Sequence, residues 1–162
     1  MMKKRLSAQM EGEFVVFLIG MRVNRWWLFW RWLRVSLAMP RMQKELEQHP
    51  ELGYLGGEQW FGRTTIMVTY WKSIEHLMEY ARNPRAEHLP AWRAFNQRIG
   101  TNGDVGIWHE TYRVQPGNYE TMYVNMNPFG LGKAGKLVEA TGKRERAEGR
   151  MAASANANAN AA

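Results

Sequence analysis

The chain has 162 residues, 45% of them hydrophobic, no cysteine and a formal charge of +7. It suits one domain with a core large enough to need no disulfides, and it excludes a disulfide scaffold, a thiol nucleophile and a thiolate metal site. The lack of cysteine fits a reducing, cytoplasmic compartment, and the basic residues are spread along the chain without clustered readers, which argues against nucleic acid as a partner.

Residues 1–12 are polar and are expected to be a flexible N-terminal segment ahead of a domain spanning 13–138. Glu13 to Arg22, EFVVFLIGMR, is apolar on both alternating faces, which marks a central strand covered on each side. Its apolar run is too short for a signal peptide and lacks a small-residue cleavage site. From Leu28 to Leu46, the residues Leu28, Trp32, Val35, Met39, Met42 and Leu46 recur at helical spacing and form one face for the sheet. Pro40 should kink that helix or divide it. The opposite face combines Trp27, Trp30 and Leu37 with Arg31, Arg34 and Arg41. A subunit interface, a pocket wall and a membrane surface all fit it. The arginines argue against a spanning helix.

His49-Pro50-Glu51 reads as a turn, and Leu52 to Trp60, with Gly53, Gly56 and Gly57, as a bent or bulged strand. Thr64 to Trp71 forms a hairpin with it. Ser73 is placed to cap a helix with Ile74, Leu77, Met78 and Ala81 on its apolar face, ending near Asn83-Pro84. A second helix begins near His88, buries Trp92, Phe95 and Ile99, and stops at Gly100. Val105 to Val114 is a fourth strand, and Tyr119 to Asn125 a short fifth strand or arm. Residues 139–162 hold almost no large apolar side chain and are expected to be a disordered tail. The order strand, helix, strand, strand, helices, strand is that of an α+β, ferredoxin-like antiparallel sheet with helices on one face. Its other face needs cover as well, which a homodimer would supply.

Four histidines carry most of the candidate chemistry. His109 shares a strand face with Ile107 and Thr111, while Trp108, Glu110 and Tyr112 take the other, so His109 and Glu110 form no dyad. His76 and Tyr80 lie opposite the Ile74, Leu77, Ala81 stripe and are expected at the surface; His49 is expected in solvent. His88, at a helix boundary among apolar and aromatic residues, is the histidine least easily read as structural. No zinc-ligand spacing occurs. Gly130, Gly132 and Gly135 satisfy GxGxxG without a βαβ context, so a flexible loop explains them.

Several ordered motifs resemble a family: FVVFLIGMRVN (14–24), AMPRMQKEL (38–46), PELGYLG (50–56), YWKSIEHLMEYA (70–81), HLPAW (88–92), VGIWHETY (105–112) and NPFGLGKAG (127–135). It is an uncharacterised bacterial and fungal family typified by a monooxygenase-like protein of the fumagillin pathway. The resemblance implies a dimeric α/β barrel of the antibiotic-biosynthesis monooxygenase type. Trp71-Lys72-Ser73, Tyr80 and His88 are also similar to the stretch of haem-degrading monooxygenases in which a histidine ligates haem iron, with Tyr80 where those proteins have a second tryptophan. The function implied is oxidation of a hydrophobic small molecule, with His109 or His88 as catalytic base and Tyr70, Trp71, Tyr80 and Trp108 against the substrate. Haem is a candidate cofactor, with His88 as its ligand. The alternative is a non-catalytic ligand- or haem-binding protein whose Trp/Arg helix face meets a membrane or a partner.

Overall fold

A computed structural model describes residues 4–98 and 102–156. In chain order its elements are β1 (Arg5–Gln9), β2 (Phe14–Val23), α1 (Phe29–Ser36), α2 (Ala38–Gln48), β3 (Tyr54–Trp60), β4 (Ile66–Trp71), α3 (Ile74–Arg82), α4 (His88–Arg98), β5 (Val105–Val114), β6 (Tyr123–Val124), α5 (Leu131–Ala134), β7 (Lys136–Glu139) and α6 (Ala147–Asn156). The class is α+β with two antiparallel sheets, one ordered β3-β4-β2-β5 and the other β6-β1-β7.

The double-sided apolar run of β2 puts it in the middle of the larger sheet. It pairs with β4, Val15 opposite Trp71 and Ile19 opposite Met67, and with β5, Ile19 opposite His109. Side chains alternate along a strand, so the odd-numbered residues of β2 face the helices and the even-numbered ones the second sheet. On the helical side Val15 and Trp71 pack with Leu46 of α2 and Leu77 and Tyr80 of α3. Farther along, Met21, Val23 and Val105 lie under Trp32 of α1 and Phe95 of α4. On the other side Phe14 packs with Leu6, Ala8 and Met10, with Tyr123 and with Leu131.

Local chemistry fixes the joints. Pro40 is the third residue of α2, within the first turn, where its missing N–H costs nothing, so the long helix divides at Leu37. The register of β3 shifts between Tyr54 and Gly56, the bulge its glycines suggest. Ser73 Oγ accepts the backbone N–H of His76 at 3.4 Å and caps α3. Gly20 lets two segments approach: a Cβ there would lie 2.0 Å from the Thr65 carbonyl oxygen and 2.7 Å from Trp108 Nε1.

Several expectations are corrected. Residues 5–9 are not loose but form β1, because Leu6 and Ala8 alternate onto the even face of the larger sheet and bury there. The short strand or arm expected at Tyr119 to Asn125 is β6, two residues long and paired with β1. Much of the expected disordered tail is ordered, with a 3-10 turn at Gly142–Glu145 followed by α6. Polar anchors replace the missing apolar ones: Arg150 Nε donates to Glu120 Oε2 at 2.6 Å, and its Nη1 donates to the Arg144 and Glu145 carbonyls. Residues 157–162, and the helix stop expected at Ile99-Gly100, lie outside the described residues.

Phe14, 1% exposed and edge-on to Tyr119 at 5.2 Å, joins the two sheets. Phe14→Ala should cost about 3–5 kcal/mol of stability, as large-to-small changes of buried phenylalanine do. The check is a urea titration, in which the midpoint falls while the slope is unchanged.

Candidate active site

The odd face of the larger sheet and the helices above it line an apolar cavity of about 210 Å³, open at the edge where His109 and Thr111 are exposed. Its floor is Phe17 and Ile19 of β2, Met67, Thr69 and Trp71 of β4, and Ile107, His109 and Thr111 of β5. Met39, Met42 and Leu46 of α2, Leu77 and Tyr80 of α3, and His88 and Trp92 of α4 form the roof. A wider groove of about 840 Å³ adjoins it and shares Ile19, Met39, Met42, His88, Trp92 and Ile107. It runs out past Trp30, Leu37 and Arg41 on one side and Pro90 and Phe95 on the other.

The cavity is held by a ladder of rings. Trp71 lies 5.6 Å from Tyr54 and 5.6 Å from Tyr80, and Tyr80 lies 6.1 Å from His88. The indole N–H of Trp71 donates to Thr69 Oγ1 at 2.9 Å, and that hydroxyl donates to the Phe17 carbonyl at 3.0 Å. The hydroxyl of Tyr80 donates to Glu45 Oε2 at 2.8 Å, and the same oxygen accepts the Glu87 N–H at 3.0 Å. One carboxylate of α2 thus ties α3 to the start of α4. Burial, with Glu45 next, pushes the Tyr80 phenol far above the usual tyrosine range.

His88 Nδ1 lies 3.1 Å from the Ala81 carbonyl oxygen. A carbonyl only accepts, so Nδ1 carries the hydrogen and, in the neutral ring, Nε2 holds the lone pair. His109 is more exposed and lies 5.9 Å from the Phe17 ring.

Of the residues singled out in the sequence, His88, His109, Trp71 and Tyr80 line one cavity. Tyr70 and Trp108 do not. Both sit on even strand positions and face the other side, where Tyr70 packs with the second-sheet core and Trp108 lies over Gly20. Tyr80 is 4% exposed rather than superficial, because α2 and α4 close over that face of α3. His76 is half-buried: its Nδ1 meets Ser73 Oγ at 2.9 Å and its ring rests on Gly53, where a Cβ would lie 2.4 Å away. His49 is exposed, with Nδ1 2.7 Å from Glu51 Oε1. The glycines of the GxGxxG segment flank and enter α5, with Gly132 packed on Tyr123, a structural use. Sequence reasoning missed Glu45, which bonds Tyr80 behind the cavity, and Thr69, Thr111 and Met67, which line it. Strand alternation from His109 and Trp71 carries the signal for the last three, whereas Glu45 bonds to a residue 35 positions away and leaves none. Among the described residues no group of three or more histidine, aspartate or glutamate side chains could hold a metal ion.

Fold and cavity define an α+β protein with an apolar cavity between an antiparallel sheet and its helices. The family model described as Monooxygenase af470-like matches residues 14–131, and the chain belongs to that family. It is 34% identical over 132 residues to Monooxygenase af470 of Aspergillus fumigatus, an alignment covering 76% of this chain and 46% of the relative. The chain therefore spans about half the length of that relative. Its fold is similar to that in the crystal structure of an aldoxime dehydratase in complex with butyraldoxime, with a TM-score of 0.62 at 14% identity over 78% of this chain and 38% of that one.

Tyr80→Phe removes a hydrogen bond to a carboxylate and should lower stability by about 1.5–3 kcal/mol at neutral pH. The pH dependence has a definite sign. The six tyrosines all have raised phenol pKa values in the fold, so their protons favour the folded chain. Stability should hold up to about pH 10 and fall above it as the unfolded phenols ionise first. Denaturant titrations across that range should give a shallower fall for Tyr80→Phe than for the native chain.

Proposed function

We propose that this protein is an oxygen-using monooxygenase that oxidises a hydrophobic, electron-rich small molecule in the cavity between sheet and helices. The observation that carries the reading is His88, which lines both the apolar cavity and the wider groove beside it, with Nδ1 fixed as a donor and Nε2 left to accept. Membership in a family named for a monooxygenase supports the reaction class.

In this reading the groove admits an apolar substrate past Met39, Met42 and Trp92, and the cavity holds its reacting carbon between His88 and the sheet. Nε2 of His88 removes a proton from an activated methylene, the step for which histidine is the commonest general base. The resulting carbanion gives its electrons to dioxygen. One oxygen atom stays on carbon as a carbonyl and the other leaves as water with the two methylene hydrogens, so no external reductant is consumed. His109, on the opposite wall, handles the second proton. Trp71 and Tyr80 set the shape against which the substrate lies.

Haem also fits these residues. A ligating histidine typically gives its other ring N–H to a backbone carbonyl or carboxylate, the arrangement His88 has with Ala81. The apolar groove, with exposed Arg41 at its edge, suits a flat ring bearing carboxylates. Bound there through His88 Nε2, haem would supply activation of oxygen, and His109 would remain the proton-handling side chain.

The strand order β3-β4-β2-β5, with helices on one side, supports assignment to the ferredoxin-like arrangement. The even face beyond the second sheet keeps Leu18 and Val68 partly exposed and Tyr112 51% exposed. That apolar remainder supports pairing of two copies into a dimeric α/β barrel.

The deciding measurement is the absorption spectrum of the purified protein before and after incubation with haem, followed by oxygen uptake with apolar compounds carrying an acidic methylene. A Soret band altered in His88→Ala assigns the haem form. A colourless protein whose oxygen uptake falls by about 10²–10⁴ in His88→Ala assigns the base. Rates and spectra unchanged in both His88→Ala and His109→Ala would remove the proposal.

A further inference from the structure

The segment between β2 and α2 exposes aromatic surface of a kind that a water-facing helix does not carry by accident. Trp26 is 68% exposed, Trp27 57%, Phe29 55% and Trp30 56%. Leu33 and Leu37 continue the stripe from Trp30 at steps of three and four, so one side of α1 is apolar and open. This surface is held in position. Trp32 packs on the core below, and its Nε1 donates to the Trp26 carbonyl at 3.0 Å, fixing the turn that presents Trp26 and Trp27.

Its charge identifies what covers it. From Phe14 to Lys44 the sequence holds Arg22, Arg25, Arg31, Arg34, Arg41 and Lys44 and no aspartate or glutamate. Arg25 is neutralised by buried Asp104 at 2.9 Å, while Arg41 and Lys44 are exposed. A two-fold contact with a second copy through this patch would set basic residues against themselves, which disfavours it. Nucleic acid would satisfy the charge but not a stripe of phenylalanine and leucine. A lipid surface satisfies both, since tryptophan is favoured at the headgroup level, leucine and phenylalanine enter the acyl boundary, and arginine meets anionic headgroups. Among the described residues no helix is long and apolar enough to cross a membrane, so the contact is superficial.

We infer that residues 26–37 dock the protein onto an anionic membrane surface. The open groove has Trp30 and Leu37 on its rim, so the docked patch brings the groove's mouth to the bilayer. On the monooxygenase reading an apolar substrate would then arrive from the membrane, but the docking itself holds whether or not that reading does.

The test is sedimentation of the full chain with phosphatidylcholine vesicles, with and without phosphatidylglycerol. Binding is expected only when phosphatidylglycerol is present, and it should weaken as salt rises. The double substitution Trp27→Ser and Phe29→Ser should reduce partitioning about tenfold or more. Both residues are exposed and lie outside the groove lining, so the circular dichroism spectrum and thermal midpoint should stay those of the native chain. Failure to bind phosphatidylglycerol vesicles would overturn the inference, as would equal binding to neutral vesicles or full binding by the double variant. So would either of two transfers of the effect: a DNA oligonucleotide retarded only by the native chain, or a dimer lost only in the double variant, in each case without vesicle binding.

Discussion

The constraint on which the fold depends is that β2 is apolar on both faces. A strand of this kind cannot lie at a surface, and Phe14 and Val15, consecutive in sequence and pointing in opposite directions, are 1% and 0% exposed. Each therefore needs its own cover. Helices α2 and α3 close over Val15, while β1 and the segments around Tyr123 and Leu131 close over Phe14. The segments on either side of the larger sheet in the sequence, Leu6 to Met10 and Tyr123 to Leu131, are thus drawn into the structure by the demand of its second strand. A molecule with only the βαββαβ core would leave Phe14, Val16 and Tyr70 facing water.

The cavity follows from the same arrangement. Helices stand off a twisted sheet by a distance that large side chains fill at one end and not at the other. Near Trp71 the ring ladder and Leu46 fill it. Toward Ile107 and His109 it stays open. What keeps the helices from collapsing into that opening is polar. Glu45 holds the Tyr80 hydroxyl and the Glu87 N–H with one oxygen, and His88 is pinned to the Ala81 carbonyl between α3 and α4. Bonds of this kind have fixed geometry, whereas apolar contacts slide, so the spacing of the three helices is set by a few directional contacts.

Much of this was legible in the sequence because it rests on periodicity. Alternation identifies β2, β4 and β5 and assigns His109, Thr111, Trp71 and Thr69 to a single face, and helical spacing turns Met39, Met42 and Leu46 toward that face. The cap at Ser73 and the bulge among the glycines of β3 are equally local. What could not be read is long-range and polar. Arg5–Gln9 is too short and too polar to declare a strand, and its partners Lys136–Glu139 and Tyr123–Val124 lie more than a hundred residues away. α6 lacks an apolar face and is held by Arg150 and Ser154, whose bonds to Glu120 and to the Gly117 N–H have no signature in spacing. Tyr80 was misread for the same reason, because its burial comes from a helix that meets it only in the fold.

The lining of the cavity decides how selective it can be. Four of the residues around it, Met39, Met42, Met67 and Met78, are methionines, and His88, Trp71 and Tyr80 are fixed by hydrogen bonds or ring contacts. Methionine has three rotatable bonds and repacks at low cost, so the apolar walls adapt to a ligand's outline. The fixed residues do not. On the proposed reading, a site built this way discriminates weakly by shape and strongly by where the reactive carbon falls relative to His88. Since the groove joins the cavity at that histidine, a long apolar molecule can leave its tail among Trp30, Trp92 and Phe95 and still deliver one end to the same nitrogen. On that reading the chemistry is set by reach along the groove rather than by a close-fitting pocket, consistent with a cavity of about 210 Å³ beside a groove of about 840 Å³.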